Sequence, residues 1–226
     1  ELQDTVVACR YDSCITKYPL SDLSNFKDEI FEEIKDLDGT LIVKEYPTKT
    51  ATTNVIRAHL EKLKKRNQKI DMIIVDYADL LRPTTHFKEK RNELESIYEN
   101  LRAIAQEFNC PVWTASQTNR SGLNAEVVTM ESISEAFNKC FVADFICSIS
   151  RTRKDKNANT GRMFVAKNRN GPDGMVFPLF MDTSNVSIKV LEQTDEPTQA
   201  SMSPKELGDN LREKYKAFRK TRKENT

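Results

Sequence analysis

The chain has 226 residues, 38% of them hydrophobic and 31% charged, enough apolar material for one well-filled core and a small appendage. A formal net charge of +1 gives no global attraction for nucleic acid, so any basic surface has to be local. Five cysteines without a CxxC pair, and only two histidines, argue against a zinc site or a disulfide framework, and no apolar run approaches the roughly 20 residues of a membrane span. No signal peptide opens the chain, and the cysteine usage suits a reducing, cytoplasmic setting.

Taken in chain order, residues 5–18 (TVVACRYDSCITKY) place Val6, Val7, Arg10, Tyr11, Cys14 and Ile15 at helical spacing. SNFKDEIFEEIKDLDG does the same with Phe26, Ile30, Phe31, Ile34 and Leu37, with Gly39 as the stop. GTLIVKEYP predicts a short strand ending at Pro47, followed by a helix over Thr53 to Lys65 and a buried strand over 70–76. RNELESIYENLRAIAQEF is the clearest helix, with Leu94, Ile97, Tyr98, Leu101, Ile104, Ala105 and Phe108 on one face. CPVWTAS follows as another buried strand, with Trp113 expected in the core.

Strand, helix, strand, helix, strand predicts a parallel sheet with crossover helices. The second half differs. ADFICSISR, RMFVAKNR, MVFPLFM and VSIKVL are joined by turns too short for parallel crossovers, which predicts antiparallel pairing. Residues 1–191 form the expected core, and a polar, Pro-containing linker from about Glu192 (EQTDEPTQASMSP) leads to a basic tail. That tail carries Leu207, Leu211, Tyr215 and Phe218 at helical spacing, a pattern that fits either partner docking or a chain without fixed structure.

Three segments carry candidate chemistry. In IIVDYADLL (73–81) an apolar strand runs directly into Asp76, and ligands of open α/β sheets gather at the carboxyl ends of such strands. An acid there can meet a magnesium ion holding nucleotide phosphates, or simply cap the next helix. In VWTASQTNR a second strand ends on Gln117, an uncharged amide able to sense a phosphate or orient water, although polar loops often carry glutamine. In AKNRNGPDG, Lys167 and Arg169 alternate along a strand and so point to one face, where they are either solvated surface charge or a pair aimed at phosphates.

In the order IIVDYADLL, a long helix, PVWTASQTNR, VADFICSISR and FVAKNRNGPDG, residues 1–190 resemble the replicative helicases of the DnaB family, nearest to the T-even phage type. The resemblance implies an α/β, RecA-like, mostly parallel sheet with flanking helices and antiparallel strands at its C-terminal edge. It also implies ATP and Mg²⁺ as cofactors, single-stranded DNA as partner and a homo-hexamer that unwinds duplex 5′ to 3′. Asp76 would be the Walker B acid holding magnesium, and Gln117 the residue coupling the γ-phosphate to DNA contact, with Asn119 and Arg120 beside it. Lys167 and Arg169 would reach the nucleotide of the adjacent subunit as an arginine-finger pair, and Glu1 is the candidate general base.

The sequence departs from that family pattern in two places. No G-x-x-x-x-G-K-[ST] segment occurs in it, so the phosphate-cradling loop and its strand are expected upstream of Glu1 and the chain by itself is expected to be inactive. The family's R-E-S-G channel loop is replaced by ISEAFNKCFVAD, which keeps Glu135 and Asp144 and leaves Lys139 and Arg120 as substitute DNA contacts. RPTTHFKEKR (82–91) offers Lys88, Lys90 and Arg91 to DNA or to solvent. If the tail docks a partner, the candidates are a primase, a helicase loader or a single-strand-binding protein; its basic face is equally open to DNA. Other readings are a recombinase-like or regulatory ATPase without unwinding, and a non-catalytic DNA- or protein-binding module.

Overall fold

The protein is described from a computed structural model over residues 2–118, 127–128 and 138–191, with backbone alone at 2–8 and 138. The chain divides into two compact units, one of residues 46–146 and 166–173, the other of residues 1–45, 147–165 and 174–226.

In the unit containing residues 46–146, Thr52 starts the first helix by accepting a hydrogen bond from the Val55 amide on its side chain (3.3 Å). Numbered in chain order, with α1 and α2 given below, this helix is α3 (Thr53–Lys65), followed by β1 (Ile73–Val75), α4 (Lys90–Phe108) and β2 (Val112–Thr114). β1 and β2 pair in parallel, Ile73 opposite Val112 and Val75 opposite Thr114, as a crossover through α4 requires. Asn109 ends α4 in the left-handed conformation, one that Asn tolerates better than most residues. Leu60, Ile73, Ala78, Ile97, Leu101, Ile104 and Cys110 form the core between α3, α4 and the strand pair. A short helix, α5 (Asn138–Val142), lies against α4.

The other unit begins with α1 (Leu2–Thr16) and α2 (Lys27–Ile34) and holds most of an antiparallel sheet ordered β3-β4-β5-β6. Its strands are β3 (Phe145–Ser150), β4 (Thr160–Asn168), β5 (Val176–Asp182) and β6 (Ser187–Val190), with α6 (Arg153–Ala158) joining the first two. Gly161 answers a close approach: a Cβ there would lie 2.9 Å from the Met181 sulfur and 3.2 Å from the Ser150 carbonyl oxygen. Gly174 (φ 78°) closes the NGPDG turn, its amide donating to the Val165 carbonyl at 2.8 Å.

Three expectations are corrected. Residues 39–47 form no strand: GTLIVKEYP has the right composition but gains no ladder of hydrogen bonds, and Leu41 and Ile42 stay exposed. The helix expected to run to Gly39 stops at Ile34, because the Asp-rich KDLD that follows is a poor helix former, and Gly39 lies five residues past its end. Among the described residues, the strands at 73–75 and 112–114 are covered by helices on one face only. Ile74 is 70% exposed and Trp113 45% exposed, its ring packed edge-on to Phe145 at 5.8 Å.

Candidate active site

The parallel pairing of β1 and β2 brings their carboxyl ends together. Asp76 leaves β1 exposed, and among the described residues its carboxylate has no hydrogen-bonded or ionic partner. The Asp76–Tyr77 peptide is cis. Thr114, the last residue of β2, ties down the turn that follows: its hydroxyl donates to the Val75 carbonyl and accepts from the Ala78 amide, both at 2.9 Å. Gln117 then donates from Nε2 to the Tyr77 hydroxyl at 2.8 Å, which sets its amide beside the residue that follows Asp76.

Beneath these two groups lies a network that the sequence did not disclose. Asp79, in the 3-10 turn Ala78–Leu80, accepts from Tyr98 Oη at 2.9 Å and from Ser116 Oγ at 3.1 Å. Lys139 of α5 is buried, 3% exposed, and its ammonium donates to Ser116 Oγ at 2.7 Å and to Asp79 Oδ2 at 3.2 Å. The same ammonium stands 5.6 Å from the Tyr98 ring centroid. Burial, and then the charge of Asp79, push the Tyr98 phenol far above its usual range, so it stays a donor at all ordinary pH. Lys139, expected as a DNA contact, is instead sequestered, because Asp79 supplies the charge that lets an ammonium lie inside.

Lys167 and Arg169 do share one face. Lys167 Nζ donates to the carbonyls of Cys140 (2.8 Å) and Phe141 (3.3 Å), and Arg169 to that of Phe141 (3.4 Å). Arg169 also pairs with Asp144 at 2.6 Å, and Arg102 of α4 bonds the same carboxylate at 3.0 Å and donates to the Val142 carbonyl. Within the chain the two cations thus rest on the end of α5. Burial raises the Cys140 thiol above its usual range against the opposing pull of Lys139 and Lys167, in keeping with a small apolar role.

Lys88 is exposed in the loop before α4. Glu1, Asn119, Arg120 and Glu135 lie outside the described residues, as does the tail from 192 onward. Asp79, Ser116 and Tyr77 were legible only as neighbours of Asp76 and Gln117 within DYAD and SQ; nothing in the sequence paired them.

No three His, Cys, Asp or Glu side chains gather as a metal site among the described residues. A single open carboxylate at a strand end suits magnesium, which is commonly held by one or two carboxylates with phosphates and water, and does not suit a protein cage for zinc or calcium. The residues present fit the acid, amide and cation parts of a nucleotide site, while the phosphate cradle is absent from this sequence.

In fold, the parallel strand pair, its flanking helices and the antiparallel strands match the RecA-like ATPase domain of DnaB-like helicases. The chain matches one solved as an isolated ATPase domain with TM-score 0.67 at 18% identity, covering 81% of this chain and 69% of that one. It matches a DnaB-like replicative helicase, described with its primase interactions, with TM-score 0.68 at 18% identity, covering 81% and 48%. The DnaB-like helicase C-terminal domain matches residues 16–186, and the chain belongs to that family. It is 29% identical to the DnaB-like replicative helicase of Enterobacteria phage T4 over 89% of this chain and 45% of that one. It is 30% identical to the replicative helicase DnaB of Geobacillus stearothermophilus over 62% and 32%. The chain therefore spans less than half the length of these relatives, and the T-even resemblance read from the motifs is borne out.

Proposed function

We propose that this chain is the C-terminal part of a subunit of a hexameric replicative helicase that couples ATP hydrolysis to 5′ to 3′ movement along single-stranded DNA and to unwinding. The observation that supports the reading is the bond from the Gln117 amide to the hydroxyl of Tyr77, the residue that follows Asp76. A bound magnesium nucleotide would supply the phosphoryl group to be transferred to water. Asp76 would hold the metal through water, and Gln117 would respond to the presence of the terminal phosphate. Lys167 and Arg169 would leave their carbonyl rests and Asp144 to face the nucleotide of the adjacent subunit, where cations stabilise charge in the transition state.

The remaining roles extend the same reading. Glu1 serves as general base, Asn119, Arg120 and Glu135 border the DNA channel, and Lys88 reaches its phosphates. The phosphate cradle comes from polypeptide outside these residues. Residues 1–191 form the ATPase portion, and the basic tail from 192 docks a primase, a loader or a single-strand-binding protein in the replisome. Among the described residues no helix is long and apolar enough to cross a membrane.

The test is DNA-stimulated ATP hydrolysis by residues 1–226 and by a polypeptide extended upstream to include a glycine-rich phosphate loop. Hydrolysis by the longer chain alone is the expected result. Inactivity of both, with single-stranded DNA present, would sink the proposal in favour of a non-catalytic binding module. Hydrolysis without strand displacement would favour a recombinase-like or regulatory ATPase.

A further inference from the structure

Lys139 is a costly residue to bury, and nothing about packing demands it. A buried ion pair often contributes no more stability than apolar side chains of the same volume, so its retention between α4 and α5 calls for a directional role. Its ligands give that direction. One is Ser116 Oγ at 2.7 Å, the side chain immediately before Gln117. The other is Asp79, three residues past Asp76 and held in turn by Tyr98 and Ser116. The network therefore grips both strand ends of the candidate site at once.

The far side of α5 is equally committed. A helix leaves its last carbonyls without partners inside itself, and in this five-residue helix those of Cys140, Phe141 and Val142 are taken by Lys167, Arg169 and Arg102. Asp144, two residues beyond the helix, holds Arg169 and Arg102 together. A continuous line of bonds thus runs from Gln117 through Ser116, Lys139 and α5 to Lys167 and Arg169.

We propose that Lys139 is a positioning residue: through Asp79 and Ser116 it fixes α5, so that the strand end bearing Gln117 governs where Lys167 and Arg169 are held for the neighbouring subunit. This rests on the trans role given above to Lys167 and Arg169. A shift of the Gln117 strand end, as a terminal phosphate arrives or departs, pulls on the Lys139 ammonium and so on the carbonyls that seat the two cations. Occupancy of one subunit's site is thereby passed to the next. The device needs a charge at 139, since a methionine would pack the same helix without bonding Ser116 or Asp79.

The test is steady-state ATP turnover by hexamers of the complete subunit carrying Lys139→Met, Arg169→Ala or both, with nucleotide affinity measured alongside. Lys139→Met is expected to lower kcat on the order of tenfold with KM unchanged, and to add nothing in the Arg169→Ala background. An equal further loss from the residual turnover of Arg169→Ala would overturn the proposal, as would a wild-type kcat for Lys139→Met while Arg169→Ala lowers it. Full turnover by Arg169→Ala would instead strike the trans role itself, and this inference with it. Because Lys139→Met strands a largely buried carboxylate, the paired variant Asp79→Asn with Lys139→Met serves as the second arm. Intact hexamers with depressed kcat support the positioning role; intact hexamers with wild-type kcat reduce the pair to packing and overturn it.

Discussion

Two carboxylates held inside the protein show how single residues are stabilised here. Asp155 closes the capping box of α6, accepting from the Thr152 amide and hydroxyl at 2.7 and 2.6 Å, and pairs with Arg162 at 2.9 Å. Burial alone would raise its pKa, but the hydrogen bonds from Thr152 and the Arg162 charge hold it below the ordinary carboxylate range. Its contribution to stability is then fully present above the unfolded carboxyl pKa and is lost as pH falls through the depressed native value. Urea unfolding as a function of pH is expected to show this acid loss in the wild type and a flatter profile in Asp155→Asn; parallel profiles would contradict the assignment. Asp79 meets the same problem with Lys139 from 60 residues away. Asp76 is the opposite case, open and without a partner among the described residues. Asp76→Asn is therefore expected to change unfolding free energy by less than about 0.5 kcal/mol while abolishing magnesium-dependent hydrolysis in the complete subunit. Matched assays of stability and turnover check this, and a large stability loss would make Asp76 structural.

Among the elements, α3 and α4 were readable because each carries an apolar face at a period near 3.6 over more than ten residues, with Thr52 and Asn109 at the ends. The strands were harder. Three residues of β1 and three of β2 carry no distinctive period, and whether a greasy strand is covered on one face or two depends on neighbours remote in sequence. The difference is measurable. Ile104, fully buried in α4, should cost about 2–5 kcal/mol when changed to alanine, whereas Ile74, largely exposed on β1, should cost less than about 0.5 kcal/mol. Chemical unfolding of the two variants distinguishes them, and comparable losses would mean that the outer face of the strand pair is covered in solution. Residues 39–47 teach the same lesson in reverse: strand composition without a partner strand leaves the chain irregular.

For the whole molecule, the proposed ring makes its own prediction. If Arg169 acts on a neighbour's nucleotide, mixing Arg169→Ala subunits, whose own sites are intact, with Asp76→Asn subunits, whose Arg169 is intact, should restore turnover that neither variant shows alone, because an intact site then meets an intact cation across the subunit boundary. Mixed hexamers as inactive as either variant alone would confine Arg169 to its own subunit, where it rests on Asp144. The sequence alone determined the family, the helices α3 and α4 with the strands that follow them, the four strands of the second half, and the placing of Asp76 directly after β1, because those depend on local period and motif order. The tertiary structure decided that Gln117 sits against Tyr77, that Lys139 turns inward to Asp79 rather than outward to DNA, and that Lys167 and Arg169 lie on the carbonyls of α5. Each of these joins groups more than 25 residues apart, and such pairings are fixed by how helices and strands pack, which no local pattern records.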